Sequence, residues 1–382
     1  MEKTFKSKLP GVGTSIFAVM SGLARREGAV NLSQGFPDFP IDPALIDLVY
    51  AYMKKGYNQY APMPGVPQLR QAITRKIRRL YHTAVSPDDE ITVTAGATQA
   101  LFNTITALVH PGDEVIVFEP AYDSYVPAIL LNGGRPVYVR LTKPDFRIRW
   151  DEVAEKISAQ TRMIILNTPN NPGGYVLSDE DWQQLARLVR GKDIIILSDE
   201  VYEHIIFDGL SHQSILRYPE LYARGVAVFS FGKTFHATGW KTGYTVAPPR
   251  LTEEIRKVHQ FNVFAVNTPV QYALAEYLEN PARYEELPAF YQAKRDYFIN
   301  GLKGSRWKVI PTRGTYFIGL DYSDISPLGD MDFAVKLTRD YKVASIPFSA
   351  FYHDGYDQHI LRFCFAKQEE TLDKALQILA KL

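Results

Sequence analysis

The run Ser230-Phe231-Gly232-Lys233-Thr234 carries the most distinctive chemistry in this chain. Val226 to Phe229, just before it, is apolar and β-branched-rich, the pattern of a short, fully buried strand. Gly232 ends that strand and is expected to place Lys233 on a turn at its tip. Burial disfavours the ammonium form, so a lysine there tends towards a neutral, nucleophilic amine. Such an amine forms Schiff bases with aldehydes and ketones. A single loop lysine more often snorkels to solvent, so the reading depends on what else reaches the same place.

Three further segments supply partners. Thr94-Ala95-Gly96-Ala97-Thr98 follows one strand and opens a helix, which makes an anion site of free backbone N–H groups and a hydroxyl. Asn167 to Gly174 follows another strand, and its two prolines and two glycines fix a backbone that can aim Asn171 at a polar ligand atom. Ser198-Asp199-Glu200-Val201-Tyr202 follows a third. Asp199 there is a half-buried acid that wants a cationic partner, with Tyr202 three residues on. Ser230 and Lys241 can both bind an anionic group, and Tyr122 can stack on a ring. Each segment alone also fits an ordinary turn or helix cap. Together they ask for a phosphate, a ring with a basic nitrogen, a phenolic oxygen and an aldehyde. Pyridoxal 5′-phosphate has all four.

The elements that must position these residues follow from periodicity. From about residue 90, strands are expected at 91–94, 114–118, 136–140, 163–166, 194–197, 226–229 and 243–247, with helices at 97–109, 125–131, 150–157 and 178–189. Apolar strands separated by helices imply an α/β fold: a mostly parallel, seven-stranded-type sheet covered by helices on both faces. Right-handed crossovers put the strand C-termini on one edge, where ligands bind. Further helices are expected at 14–28, 42–55, 67–82, 250–261, 268–279 and 283–303. The remainder reads as strands 307–310, 316–320, 343–346 and 360–365 with helices 331–340 and 370–381, a smaller α+β unit. The expected division is a large cofactor-binding domain at 40–285 and a small domain made of 1–39 and 286–382.

Composition narrows the classes. The chain has 382 residues and a net charge of +1, with acids and bases mixed along it, so no nucleic-acid partner is expected. No apolar window approaches a membrane span. The lone Cys364 excludes an internal disulfide framework and suits a reducing, cytoplasmic setting. The eight histidines show no HExxH pairing, and no metal site is expected.

From about Asn31 to the C-terminus the sequence resembles fold-type I, class I pyridoxal-phosphate aminotransferases. The matching pieces, in order, are Asn31-Leu32-Ser33-Gln34-Gly35, Tyr60-Ala61-Pro62-Met63-Pro64-Gly65, Gly96-Ala97-Thr98, Asn171-Pro172, Asp199-Glu200-Val201-Tyr202, Ser230-Phe231-Gly232-Lys233 and Leu361-Arg362-Phe363. It is most similar to the methionine and kynurenine (glutamine-type) group. The resemblance implies Lys233 as the amine bonded to the cofactor and the base that moves the substrate Cα proton. Asp199 would pair with the pyridine nitrogen, and Asn171 and Tyr202 with the ring oxygen. Ala97, Thr98, Ser230 and Lys241 would hold the phosphate, with Tyr122 stacked on the ring. Tyr60 would reach the phosphate of a neighbouring subunit, which implies a homodimer. Arg362 would grip the substrate α-carboxylate, and Gly35 would bring backbone close to the substrate.

Two positions depart from the family pattern. Lys241 stands where arginine is frequent, and Gly173-Gly174 replaces threonine-glycine, which is expected to loosen that turn. No arginine occurs between Phe261 and Asn267, the stretch where aspartate-type enzymes are expected to place a second one. Phe17, Phe36, Tyr60, Phe264 and Tyr316 would instead form an aromatic wall. The expected reaction is ping-pong transfer of an amino group from methionine or an aromatic amino acid, glutamine or kynurenine to a 2-oxo acid. The alternatives are a cysteine-conjugate C–S β-lyase with the same cofactor, and a non-catalytic sensor domain of this fold.

Overall fold

The computed structural model describes residues 6–382, so the first five residues of the 1–39 arm lie outside the described part. The chain opens with the helix Ile16–Glu27 and a two-residue strand, β1 (Val30–Asn31). Two helices follow. Pro43–Lys54 is capped by Asp42 Oδ1, which accepts from the Ala44 N–H at 2.9 Å. Pro67–Tyr81 starts on Pro67, where a missing N–H costs nothing.

Strands and helices then alternate as expected: β2 (Ile91–Thr94), β3 (Glu114–Glu119), β4 (Arg135–Arg140), β5 (Thr161–Asn167), β6 (Ile195–Asp199), β7 (Gly225–Ser230) and β8 (Gly243–Val246). They form one seven-stranded sheet in the order β2-β8-β7-β6-β5-β3-β4. Successive residues of a strand face opposite sides, and here both sides are covered. Val115 and Val117 point into one core cluster with Ile105, Ile129 and Ile255. Ile116 and Phe118 point into the other, with Ile73 and Trp182. That double burial is why the strands read as continuous apolar runs.

The sheet is parallel except for β8, which runs antiparallel to both β2 and β7. Not all strand C-termini therefore share one edge. It is the start of β8 that meets the ends of its neighbours, with Gly243 opposite both Thr94 and Ser230. A Cβ on Gly243 would lie 2.6 Å from the Phe229 carbonyl oxygen and 3.0 Å from the Ala97 nitrogen. Only glycine lets β8 enter between the two loops.

The remaining strands are β9 (Lys308–Val309), β10 (Phe317–Asp321), β11 (Val343–Ala344), β12 (Ile346–Pro347) and β13 (Ile360–Cys364). A second, antiparallel sheet has the order β12-β13-β10-β9, and β1 pairs in parallel with β11. Three expectations are corrected here. The helix expected at 283–303 is two, Ala282–Glu285 and Leu287–Gly301, because Pro288 fits a first turn and not a helix interior. The strand expected at 343–346 is split at Ser345 between two sheets. Lys233 lies not on a bare turn but in a single helical turn, Phe231–Thr234, capped by Ser230 Oγ.

A buried pair fixes the segment that follows β6. Lys76, on the helix Pro67–Tyr81, pairs with Glu203 and donates to Tyr244 Oη at 3.0 Å, while Tyr81 donates to the other Glu203 oxygen. Burial alone would raise Glu203, but Lys76 and His204 hold it below the usual carboxylate range. Burial pulls Lys76 down at the same time; the close contact favours the charged pair. Removing one partner of such a pair costs about 3–5 kcal/mol. Lys76→Met is expected to lower unfolding free energy by about that much in a denaturant titration. Lys76→Met combined with Glu203→Leu is expected to recover most of it.

Candidate active site

The loops at this sheet edge enclose a cavity of about 420 Å³. Register explains why. Asn167 at the end of β5 sits opposite Asp199 at the end of β6, and Ser230 ends β7 beside Gly243. The cavity receives Gly35, Ala97, Thr98, Tyr122, Asn171, Asp199, Tyr202, Ser230, Lys233, Lys241, Arg362 and Phe17. All come from segments singled out by sequence.

Lys233 Nζ is enclosed by protein yet open to the cavity. It donates to the Gly35 carbonyl at 3.2 Å and lies 3.0 Å from Tyr316 Oη. Burial lowers its pKa from 10.5 to about 8, and the charges of Arg362 and Lys241 push the same way. Asp199 is fully buried, and burial raises its carboxyl to about 6 even though Tyr125 Oη donates to it at 2.6 Å. Asn167 ties the floor together: its side-chain amide donates to the Asp199 carbonyl at 3.0 Å and its Oδ1 accepts from the Asn171 N–H at 2.7 Å.

The anion end is built by the helix Ala97–Leu108, whose cap, Gly96, has φ +80° and supplies no capping side chain. A Cβ built on Gly96 would stand 3.4 Å from Lys241 Nζ, so the lysine lies over the helix N-terminus. Thr98 Oγ1 and Tyr122 Oη are 3.4 Å apart at the same end. At the other side, Arg362 on β13 is fully buried. Its guanidinium donates to Asn171 Oδ1 at 2.8 Å and the Ser33 carbonyl at 2.9 Å, while Nε has no partner. The guanidinium carbon lies 3.8 Å from the centre of the Phe317 ring and 5.2 Å from that of Phe17. Burial lowers Arg362 to about 10, so it stays charged at neutral pH.

Some expectations are placed differently. Tyr316 is buried and touches Lys233 from behind the cavity wall. Tyr60 is 86% exposed, with Phe264 against it at 5.7 Å between ring centres. Phe36 is exposed as well. Tyr60, Phe36 and Phe264 do not line this chain's own cavity. The Gly173-Gly174 turn is not loose. Gly174 has φ +72° and its Cβ would meet Thr312 at 3.0 Å, while a Cβ on Gly173 would meet Asn170 Oδ1 at 2.9 Å. Asp123, Tyr125 and Phe317 are among the residues that the sequence does not single out. Asp123 also lines the cavity, and its position next to Tyr122 at a strand end was a usable signal. Tyr125, which holds Asp199, starts a helix and carried none.

These residues fit pyridoxal 5′-phosphate on the structure's own terms. A lysine amine of lowered pKa, a buried carboxylate, and a helix N-terminus overlaid by a cation with no capping side chain converge on one cavity. The chain belongs to the class I and II aminotransferases, whose family model matches residues 27–379. Members of this family use pyridoxal 5′-phosphate and act on amino acids and 2-oxo acids. A methionine aminotransferase of Escherichia coli K12 is 50% identical, over 99% of this chain and 98% of its own length. The crystal structure of YbdL from Escherichia coli, which identified a methionine aminotransferase function, matches with a TM-score of 0.98 at 50% identity, covering 99% and 100% of the two chains. A kynurenine–oxoglutarate transaminase of Dictyostelium discoideum is 35% identical over 100% of this chain and 98% of its own.

The lowered amine pKa can be read directly. In the cofactor-free protein, Lys233 is expected to react with an amine-selective reagent with a midpoint near pH 8, while exposed lysines titrate about two units higher. Peptide mapping of labelling against pH checks this.

Proposed function

We propose that this aminotransferase takes the amino group of a neutral amino acid, methionine first and aromatic residues, glutamine or kynurenine after it, and passes it to a 2-oxo acid. The observation that carries this is Arg362. It is a buried cation whose hydrogen bonds go only to neutral oxygens, and it is the one arginine lining the cavity among the described residues. One such group receives one carboxylate, so the side chain of the donor is left among Phe17 and its neighbours without a charged partner. The methionine aminotransferase relative supports the same choice.

Pyridoxal 5′-phosphate, when bound, supplies an aldehyde that condenses with amines and an electron-poor ring that accepts charge. The chain does the rest. Ala97, Thr98, Ser230 and Lys241 would hold the phosphate, Asp199 the ring nitrogen, Asn171 and Tyr202 the ring oxygen, and Tyr122 the ring face. Arg362 binds and orients the α-carboxylate, and the aromatic rings against its guanidinium keep water off it. Lys233, poised near neutral pH, takes the Cα proton and returns it. Asp199, raised only to about 6, is ionised at neutral pH and ready for a protonated nitrogen.

Tyr60, Phe261 and Phe264, all exposed, support a homodimer in which Tyr60 completes the partner's phosphate site. We also read 40–285 as the cofactor-binding domain and 1–39 with 286–382 as the small one, in a cytoplasmic enzyme. No helix among the described residues is long and apolar enough to cross a membrane.

Lys233→Ala is expected to lower kcat by at least about 10⁴-fold, since base and nucleophile are lost together. Across a donor panel, kcat/KM for methionine is expected to exceed that for aspartate or glutamate by about 100-fold or more. Equal use of an acidic donor would overturn the proposed substrate class. Arg362→Lys, which gives up the planar fork, is expected to raise KM for methionine about 10–100-fold, read in steady-state kinetics.

A further inference from the structure

Tyr316 was expected to face the substrate, yet its hydroxyl is committed elsewhere. It lies one residue before β10 and is fully buried. Its phenol donates to the Gly35 carbonyl at 2.7 Å and lies 3.0 Å from Lys233 Nζ. The amine donates to the same carbonyl at 3.2 Å. A phenol has one hydrogen. Because that hydrogen goes to Gly35, the phenol can only accept from Lys233. Burial raises Tyr316 well above the ordinary phenol range, so the hydrogen stays in place. The carbonyl has two lone pairs, one for each donor. Within this triangle the phenol, the amine and the carbonyl thus satisfy one another, with the Tyr202 hydroxyl beside Tyr316 as a further neighbour.

Gly35 also explains why the carbonyl can sit there. A Cβ on it would lie 2.7 Å from the Phe317 ring, the same ring that lies against Arg362. The backbone that receives the amine and the ring against the carboxylate-binding arginine are thus packed on each other.

The geometry assigns Tyr316 and the Gly35 carbonyl as a holding post for the free ε-amine of Lys233, orienting it for proton transfer from the substrate Cα. This deepens the transaminase reading above and rests on it. A neutral amine has two N–H groups and one lone pair. With both N–H groups donated, the lone pair is the single direction left. When it takes the Cα proton, the C–H bond breaks, its electron pair stays with the substrate, and the nitrogen becomes an ammonium without losing either hydrogen bond. Returning the proton reverses the change. Tyr316 is a positioning residue, because it acts through Lys233 and does not meet the reacting carbon.

Tyr316→Phe removes the acceptor and keeps the ring. With methionine and its Cα-deuterated form, kcat is expected to fall about 10–100-fold, with KM within about twofold and a larger primary isotope effect on kcat. The second readout uses enzyme loaded with pyridoxamine 5′-phosphate, in which the lysine is free. Labelling of Lys233 by an amine-selective reagent, mapped by peptide, is expected to shift its midpoint down by about one pH unit, because the ammonium has lost an acceptor. A raised KM with isotope effect and midpoint unchanged would make Tyr316 a wall contact and overturn the assignment. Turnover of methionine by the parent enzyme is untouched by that outcome, so the transaminase reading fails or stands separately. If Tyr316→Phe does not fold, Tyr316→3-fluorotyrosine, a weaker acceptor of nearly equal volume, is expected to give smaller shifts in the same directions. No shift there also overturns the assignment.

Discussion

Two of the three cations that line the cavity among the described residues, Lys233 and Arg362, are hydrogen-bonded only to neutral oxygens. Lys233 holds Gly35 and Tyr316, and Arg362 holds Asn171 and Ser33. Taking a charge out of water without an ionic partner is costly. The amine eases that cost by approaching neutrality at about pH 8, while the guanidinium stays charged and bears it, with one nitrogen unpartnered. A ligand that brings a phosphate, a carbonyl carbon and a carboxylate supplies what each of these groups lacks. Binding and chemistry therefore draw on the same electrostatic imbalance.

The fold exists at this edge to hold that imbalance still. Parallel strands β5 and β6 place Asn167 opposite Asp199, Asp199 pairs with Val228 of β7, and β7 runs two residues further to Ser230. The reversed strand β8 then brings Lys241 to the same place from the opposite direction. Arg362 arrives from a different sheet, on β13, and Gly35 from the segment after β1. Six separate stretches of chain thus converge within one cavity, which makes its geometry a property of the whole packing. The Lys76–Glu203 pair, one residue beyond Tyr202, anchors one of those stretches from below.

Much of this was legible before any coordinates, and the reason is local. A polar residue straight after a continuous apolar strand has few structural uses, so Asn171, Asp199 and Lys233 stood out. The α/β alternation was legible because both sheet faces are buried. The reversal of β8 was not, since a four-residue buried strand reads the same in either direction. Tyr316 and Tyr125 were not legible as partners of Lys233 and Asp199. A buried tyrosine has the same sequence appearance wherever its hydroxyl points, and only tertiary packing decides that. The break at Pro288 is readable from proline's own geometry, which bars it from a helix interior. Tyr60 and Phe264 lie outside their own cavity, and only the homodimer proposed above would give them one to line.

The central claim is a covalent attachment at one amine, and it can be mapped directly. The purified holoenzyme is reduced with borohydride, digested, and sequenced by mass spectrometry for the pyridoxyl mass. A single modified position at Lys233 is the predicted result. A label on any other lysine, or none in protein that has retained its cofactor, would contradict it.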